Sequence, residues 1–144
     1  MQFIRAKYVA FWLVASGFLA FAPTARALDQ VAGERAAIES AIQKQFDAFS
    51  RDDAEAAFAM AAPPIRRMFG APDTFMDMVR KAYGPVYHHR DAAFGELQAG
   101  PTQIVAITGD DGRHWLAFYQ MVQDDDGQWR IKGCNLIEDP DQHV

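Results

Sequence analysis

TQIVAITG (102–109), RHWLAFYQMVQ (113–123) and QWRIKGCNLI (128–137) are the three segments that decide the fold. They are rich in β-branched and aromatic residues, and DDG (110–112) and DDDG (124–127) separate them. An Asp-Gly pair between two such runs is a strong signal for a β-hairpin turn. This stretch therefore predicts a meander of three antiparallel strands.

The turn between the first two segments sets how their residues face each other. A two-residue loop at residues 111–112 pairs Ile107 with Leu116. Because side chains alternate between the two faces of a strand, one face then gathers most of the aromatic and apolar residues. Helices are expected to cover that face, which holds Ile104, Ala106, Trp115, Ala117, Tyr119 and Met121.

The second turn is predicted to be a three-residue loop at residues 125–127 with its glycine in the left-handed conformation. This loop pairs Met121 with Ile131 and adds Trp129 to the covered face. The first helix is therefore expected to lie over both Trp115 and Trp129. The opposite face of the sheet mixes apolar and polar residues and is expected to be half-buried.

Cys134 is the only cysteine, so the chain can form no disulfide within itself. The simplest register places Cys134 beside Phe118 on the half-buried face, as a buried and unreactive thiol. A bulge at Gly133 would instead move Cys134 and Leu136 to the covered face. Both registers remain open at this point.

Residues 29–50 are predicted to form the helix that lies across the sheet. Apolar positions recur there at spacings of three and four residues, and the charged residues fall mostly on other faces. The predicted buried stripe consists of Ile38, Ala41, Ile42, Gln45, Phe46 and Phe49.

Shorter elements are predicted between this helix and the meander. Asp52 and Glu55 have the spacing of a capping box, with Asp52 as the cap of a second helix. A helical turn over residues 65–69 follows, and a third helix begins at Asp73. A further strand is expected over residues 92–97. The third helix is expected to bury Phe75, Met78, Val79 and Ala82.

Residues 1–27 have the features of an export signal. Basic residues precede an apolar run over residues 8–22, which is shorter than the ~20 residues that span a bilayer core. Ala-Arg-Ala at residues 25–27 supplies the small residues that a signal peptidase recognises. We expect cleavage after Ala27, which leaves a single domain over residues 28–144 in the periplasm or outside the cell. An uncleaved membrane anchor is the alternative.

The chain without this segment is acidic. It carries 11 basic and 19 acidic residues, a formal charge of −8. This balance argues against binding to nucleic acids and to anionic membranes. After cleavage we expect no association with the membrane.

The sequence contains no recognisable catalytic or metal-binding motif. His88 and His89 are adjacent, and adjacent residues of a strand point to opposite faces, so the pair cannot bind one ion together. We find no phosphate-binding loop and no nucleophile elbow. We therefore expect no metal and no cofactor, and we assign no catalytic residue.

DGQWRI (126–131) resembles the entry to the last strand of NTF2-like, cone-shaped domains. Over about residues 35–138, the chain is similar to a bacterial family called domain of unknown function 4864. The similar segments are FDAFSRDD (46–53), MFG (68–70) with FM (75–76), GRHWLA (112–117) and WRIKGC (129–134).

The resemblance implies an α+β fold, an NTF2-like cone in which N-terminal helices pack on a C-terminal antiparallel sheet. It implies no activity, because NTF2-like domains include both enzymes and binding modules and fold does not fix function. Residues 63–70 replace an early strand of that fold, which would narrow the pocket.

Two functional hypotheses follow. The first is an exported accessory or binding module that holds a small apolar ligand or docks a protein partner. The second is a small cofactor-free enzyme with an acid-base site inside the cone, which would use Tyr119 with His114 or an aspartate. The expected ligand-binding residues are Phe46, Tyr83, Trp115, Tyr119 and Trp129.

Overall fold

The computed structural model describes residues 25–139. Helices come first and an antiparallel sheet follows, so the predicted α+β class is confirmed. Residues 1–24 of the predicted export signal lie outside the described residues, and its last three residues form the start of the first helix. The elements are α1 (Ala25–Ser50), α2 (Ala54–Ala59), α3 (Pro63–Phe69), α4 (Pro72–Ala82), α5 (Gly84–Tyr87), β1 (His89–Gln98), β2 (Thr102–Gly109), β3 (His114–Gln123) and β4 (Trp129–Glu138).

The four strands form one sheet in chain order, and each strand pairs antiparallel with the next. The predicted meander is therefore confirmed. The additional strand β1 is also present and is longer than the predicted segment 92–97. Short loops suffice for this topology because antiparallel neighbours can be joined by tight turns.

The first hairpin differs from the predicted register. Ile107 faces Trp115, and Leu116 faces Ala106. The loop contains three residues, 110–112, and its glycine has a φ of 81°. The extra loop residue moves every side chain of β2 to the other face relative to β3. The covered face of β2 is consequently formed by Gln103, Val105 and Ile107, and the placement of Ile104 and Ala106 there was wrong.

The second hairpin has the predicted loop and register. Met121 faces Ile131, and Gly127 has a φ of 77°. Type I turns that end in a left-handed residue match the twist of the flanking strands, which favours glycine at this position. The predicted pairing is confirmed.

A bulge in β4 decides the position of the thiol. Gln120 faces Gly133 and the next residue of β3 faces Ile131, so Lys132 is the extra residue. Beyond the bulge Cys134 lies opposite Tyr119, on the covered face. The bulge alternative is therefore confirmed, and the register that placed Cys134 beside Phe118 is wrong.

Helix α1 covers the sheet through the stripe that its periodicity predicts. Ile38, Ile42 and Phe46 are at most 1% exposed. The ring of Phe46 lies edge to face with that of Tyr119 at a centroid distance of 5.9 Å. Burial of this apolar surface is the main force that joins helix and sheet.

The two tryptophans of the sheet are only half-buried. Trp115 faces Glu138 at one end of the β3–β4 ladder, and Trp129 faces Gln123 at the other end. They do not form one buried cluster beneath α1, contrary to the prediction.

The helix caps also differ in detail. Asp53, and not Asp52, caps α2, because its Oδ1 accepts a hydrogen bond of 3.0 Å from the backbone of Ala56. Asp52 has a φ of 55° and belongs to the turn after α1. Helix α4 begins with Pro72, and its buried residues are Phe75, Met76 and Val79. Met78 is half-buried and Ala82 is exposed.

Among the described residues, no helix combines the length and the apolar character that crossing a membrane requires.

Candidate functional site: an apolar cavity beneath α3 and α4

A cavity of about 230 Å³ lies between helices α3 and α4 and the covered face of the sheet. It reaches the surface beside Met68, which lines it and is 71% exposed. Its walls are predominantly apolar and include Phe49, Phe69, Phe75, Met78, Val79 and Ile131.

Helix α3 forms the outer wall. Pro63 and Pro64 occupy its first turn, where the missing N–H groups cost nothing and the fixed φ favours a helix. Gly70 ends it with a φ of 72°. None of its seven residues is fully buried, and Ile65 and Phe69 line the cavity while packing against the core.

Two tyrosines and the thiol form the polar part of the floor. The hydroxyl of Tyr83 donates a 2.8 Å hydrogen bond to the backbone oxygen of Cys134. The hydroxyl of Tyr119 is hydrogen-bonded to the Cys134 sulfur. Tyr119 is 2% exposed, and all three residues line the cavity.

Burial keeps these groups neutral. It raises the pKa of the Cys134 thiol to about 12, against a smaller lowering by the hydrogen bond with Tyr119. Burial also raises the pKa of Tyr119 well above its usual value and raises that of Tyr83. Desolvation disfavours the charged form of each group. Near neutral pH the floor therefore offers neither a thiolate nor a phenolate.

Gln45 contributes the other polar group of the cavity. It is 4% exposed, and its Nε2 donates a 3.2 Å hydrogen bond to the backbone oxygen of Ala57. Within residues 25–139, its Oε1 accepts no hydrogen bond, and this oxygen is not fully shielded from solvent, unlike Oε1 of Gln103. The sequence offers one signal for this residue, because Gln45 occupies a buried position in the otherwise apolar stripe of α1.

Of the five predicted ligand-binding residues, the structure brings two to the cavity. Tyr83 and Tyr119 line it, whereas Phe46, Trp115 and Trp129 do not. Phe46 packs in the core between β1 and β3, against His89, Phe94 and Tyr119. The residues of α3 and α4 that wall the cavity were not predicted, because nothing local in the sequence indicates where these short helices pack.

The other polar clusters are structural. Asp52 accepts hydrogen bonds from the hydroxyl of Tyr87 and from Arg80. Both bonds lower the pKa of Asp52, and the bond from Tyr87 has the larger effect. They also connect the turn after α1 to α4 and α5. In the part of the chain that the structure describes, no group of three or more His, Cys, Asp or Glu residues could hold a metal ion.

The three histidines that the structure describes likewise do not converge. His88 is exposed, and His89 is half-buried, with its Nδ1 2.8 Å from the backbone oxygen of Val86. The Nδ1 of His114, in β3, lies 3.4 Å from the Oγ1 of Thr108. None of the three lines the cavity.

Comparison with known proteins identifies the family. No curated protein and no solved structure matches the chain. The family model described as Domain of unknown function (DUF4864) matches residues 31–144. This match extends from the exposed first half of α1 through the whole sheet. The chain therefore belongs to the family of the Domain of unknown function (DUF4864).

Proposed function

We propose that this protein is an exported binding module that holds a small apolar molecule in the cavity beneath α3 and α4. The observation that carries the proposal is the cavity itself. A space of about 230 Å³ with apolar walls and an opening beside Met68 lies next to a well-buried apolar core. Concave, mostly apolar sites with a few polar groups are the usual form of small-molecule sites.

The character of the lining supports binding over catalysis. Among residues 25–139, no histidine, carboxylate, lysine or arginine lines the cavity, and its thiol and hydroxyls stay neutral near neutral pH. Acid-base catalysis needs a group that exchanges a proton near the working pH. The enzyme hypothesis required an ionisable pair inside the fold, and the pair of Tyr119 with His114 does not meet at the cavity.

The methionines of the wall suit an adaptable site. Met68 and Met78 come from two neighbouring helices and lie on the same cavity. Unbranched thioether side chains adjust to ligand shape at low cost. Helix α3, with no fully buried residue, can shift to admit a ligand more easily than the core helices can.

A thermal-shift screen tests the proposal. Small aromatic molecules, quinones and lipids are added to the mature protein, and the melting temperature is measured. A ligand at 100 times its dissociation constant stabilises the folded state by about 2.7 kcal/mol, which should raise the melting temperature of a domain this size by several degrees.

Two variants of α4 show whether a hit occupies the cavity. Met78→Trp places a larger side chain in the wall and should abolish the shift. Thr74→Trp adds the same ring on the exposed face of the same helix and should preserve it. If no compound in a broad screen binds, the small-ligand proposal fails and a protein partner becomes the better candidate for this face.

A further inference from the structure

We propose that the ligand is a neutral, single-ring aromatic molecule that carries a hydrogen-bond donor, such as a phenol, and that it donates to Oε1 of Gln45. This inference rests on the proposed function, because it concerns the same cavity. It adds the chemical class of the ligand and the residue that selects it.

Size limits the ligand to about one ring. An apolar cavity of about 150 Å³ accommodates benzene, and sites for drug-sized molecules begin at about 300 Å³. The present cavity, at about 230 Å³, lies between these values. It therefore suits a single substituted ring, whereas a fused multi-ring molecule or a long acyl chain would extend through the opening or displace α3.

The orientation of the Gln45 amide makes it an acceptor. Its Nε2 is held by the backbone oxygen of Ala57 at 3.2 Å. Rotating the amide would place Oε1 against that carbonyl oxygen, where two acceptors would repel each other. The group left for a ligand is therefore Oε1. This oxygen has no donor among the described residues and is not fully shielded from solvent, so it is free to accept a hydrogen bond from a ligand in the cavity.

The remaining polar groups point to the same class. The hydroxyl proton of Tyr83 is used on the backbone oxygen of Cys134, so its oxygen is left to accept. The hydroxyl of Tyr119 is already engaged in a hydrogen bond with the Cys134 thiol. No cationic side chain of the described part of the chain lines the cavity, so a carboxylate would lose its hydration without gaining a partner. A cavity that offers hydrogen-bond acceptors but no cationic group favours a neutral ligand that carries a hydrogen-bond donor.

Three probes of similar size separate the possibilities. Phenol carries the donor, toluene replaces the hydroxyl with a methyl group, and benzoate carries a negative charge. Dissociation constants are measured by NMR titration of the mature protein. Phenol should bind about five- to tenfold more tightly than toluene, the factor that one added hydrogen bond contributes. Benzoate should bind more weakly than either.

Substitutions at two buried glutamines assign the effect. Gln45→Met keeps the length of the side chain and removes the acceptor, so it should weaken phenol binding by about the same five- to tenfold and leave toluene unaffected. Gln103→Met is the matched control, because Gln103 is also fully buried but does not line the cavity. It should preserve the preference for phenol. Circular dichroism establishes that both variants are folded.

The outcomes distinguish this inference from the proposed function. Equal affinities for phenol and toluene, or tightest binding of benzoate, would refute the inference and leave an apolar binding module. A preference for phenol that persists in Gln45→Met would also refute it. If Gln45→Met does not fold, the comparison of the probes on the unmodified protein decides. Binding of none of the three probes, together with an empty broad screen, would refute both.

Discussion

Replacing Phe46 with alanine should strongly destabilise the protein, because this residue joins α1 to the sheet. Phe46 is 1% exposed. Its ring centroid lies 4.8 Å from that of His89 and 6.5 Å from that of Phe94, both in β1. It also lies 5.9 Å from Tyr119 in β3. One side chain therefore connects three elements.

The expected loss follows from these contacts. Emptying a fully buried aromatic site costs about 3–5 kcal/mol. Ring pairs contribute about 0.5–1.5 kcal/mol beyond the area that they bury, so Phe46→Ala should fall in the upper part of that range, about 4–5 kcal/mol. Domains of this size have a free energy of unfolding of about 5–15 kcal/mol. The variant should thus lose a large part of its stability.

The measurement is urea unfolding followed by circular dichroism. The midpoint should move to lower urea with little change in slope. Trp129→Ala is the comparison, because Trp129 is a larger side chain but only half-buried, and it should cost about 1–2 kcal/mol. If Phe46→Ala costs less than Trp129→Ala, the assignment of Phe46 to the centre of the core is refuted.

The remaining predictions concern the thiol, two glycines and export. Because burial raises the pKa of the Cys134 thiol to about 12, labelling of the native protein should be slow near neutral pH, accelerate as the pH rises, and be fast in denaturant; fast native labelling would show an exposed thiol. Gly33→Ala should stabilise the protein by about 0.8 kcal/mol, because Gly33 lies in an exposed helix with open space around it. Gly127→Ala should cost about 1 kcal/mol, because its φ is 77°; equal effects of the two substitutions in unfolding experiments would contradict the assigned turn. Cleavage after Ala27 predicts an intact mass that begins at Leu28, and full-length protein held in the inner membrane would disprove it.

The sequence by itself determined the elements that depend on local chemistry. The hairpins of β2–β4 follow from β-branched and aromatic runs separated by Asp-Gly turns, and the stripe of α1 follows from its helical period. Both signals involve residues close together in the chain. They were sufficient for the α+β class, for the pairing of Met121 with Ile131, and for the burial of Phe46.

Only the tertiary structure decided the register of the first hairpin. An Asp-Gly pair can form a two-residue loop by itself, or it can end a three-residue loop. The structure has the second arrangement, at residues 110–112. The choice depends on which residues of β2 gain burial against the helices. Val105 and Ile107 are at most 1% exposed in the observed register, which the loop sequence alone does not encode.

The cavity likewise depends on contacts between distant residues. Tyr83 and Cys134 are separated by 51 positions in the chain and meet through one hydrogen bond. Met68 and Phe69 become its wall because α3 lies over the bulged part of β4, where the backbones of Ala61 and Ile131 meet. Such packing is fixed by how whole elements exclude water together, which local sequence patterns do not encode. The sequence therefore identified Tyr83 and Tyr119 as candidates, and only the structure placed them beside Gln45 in one cavity.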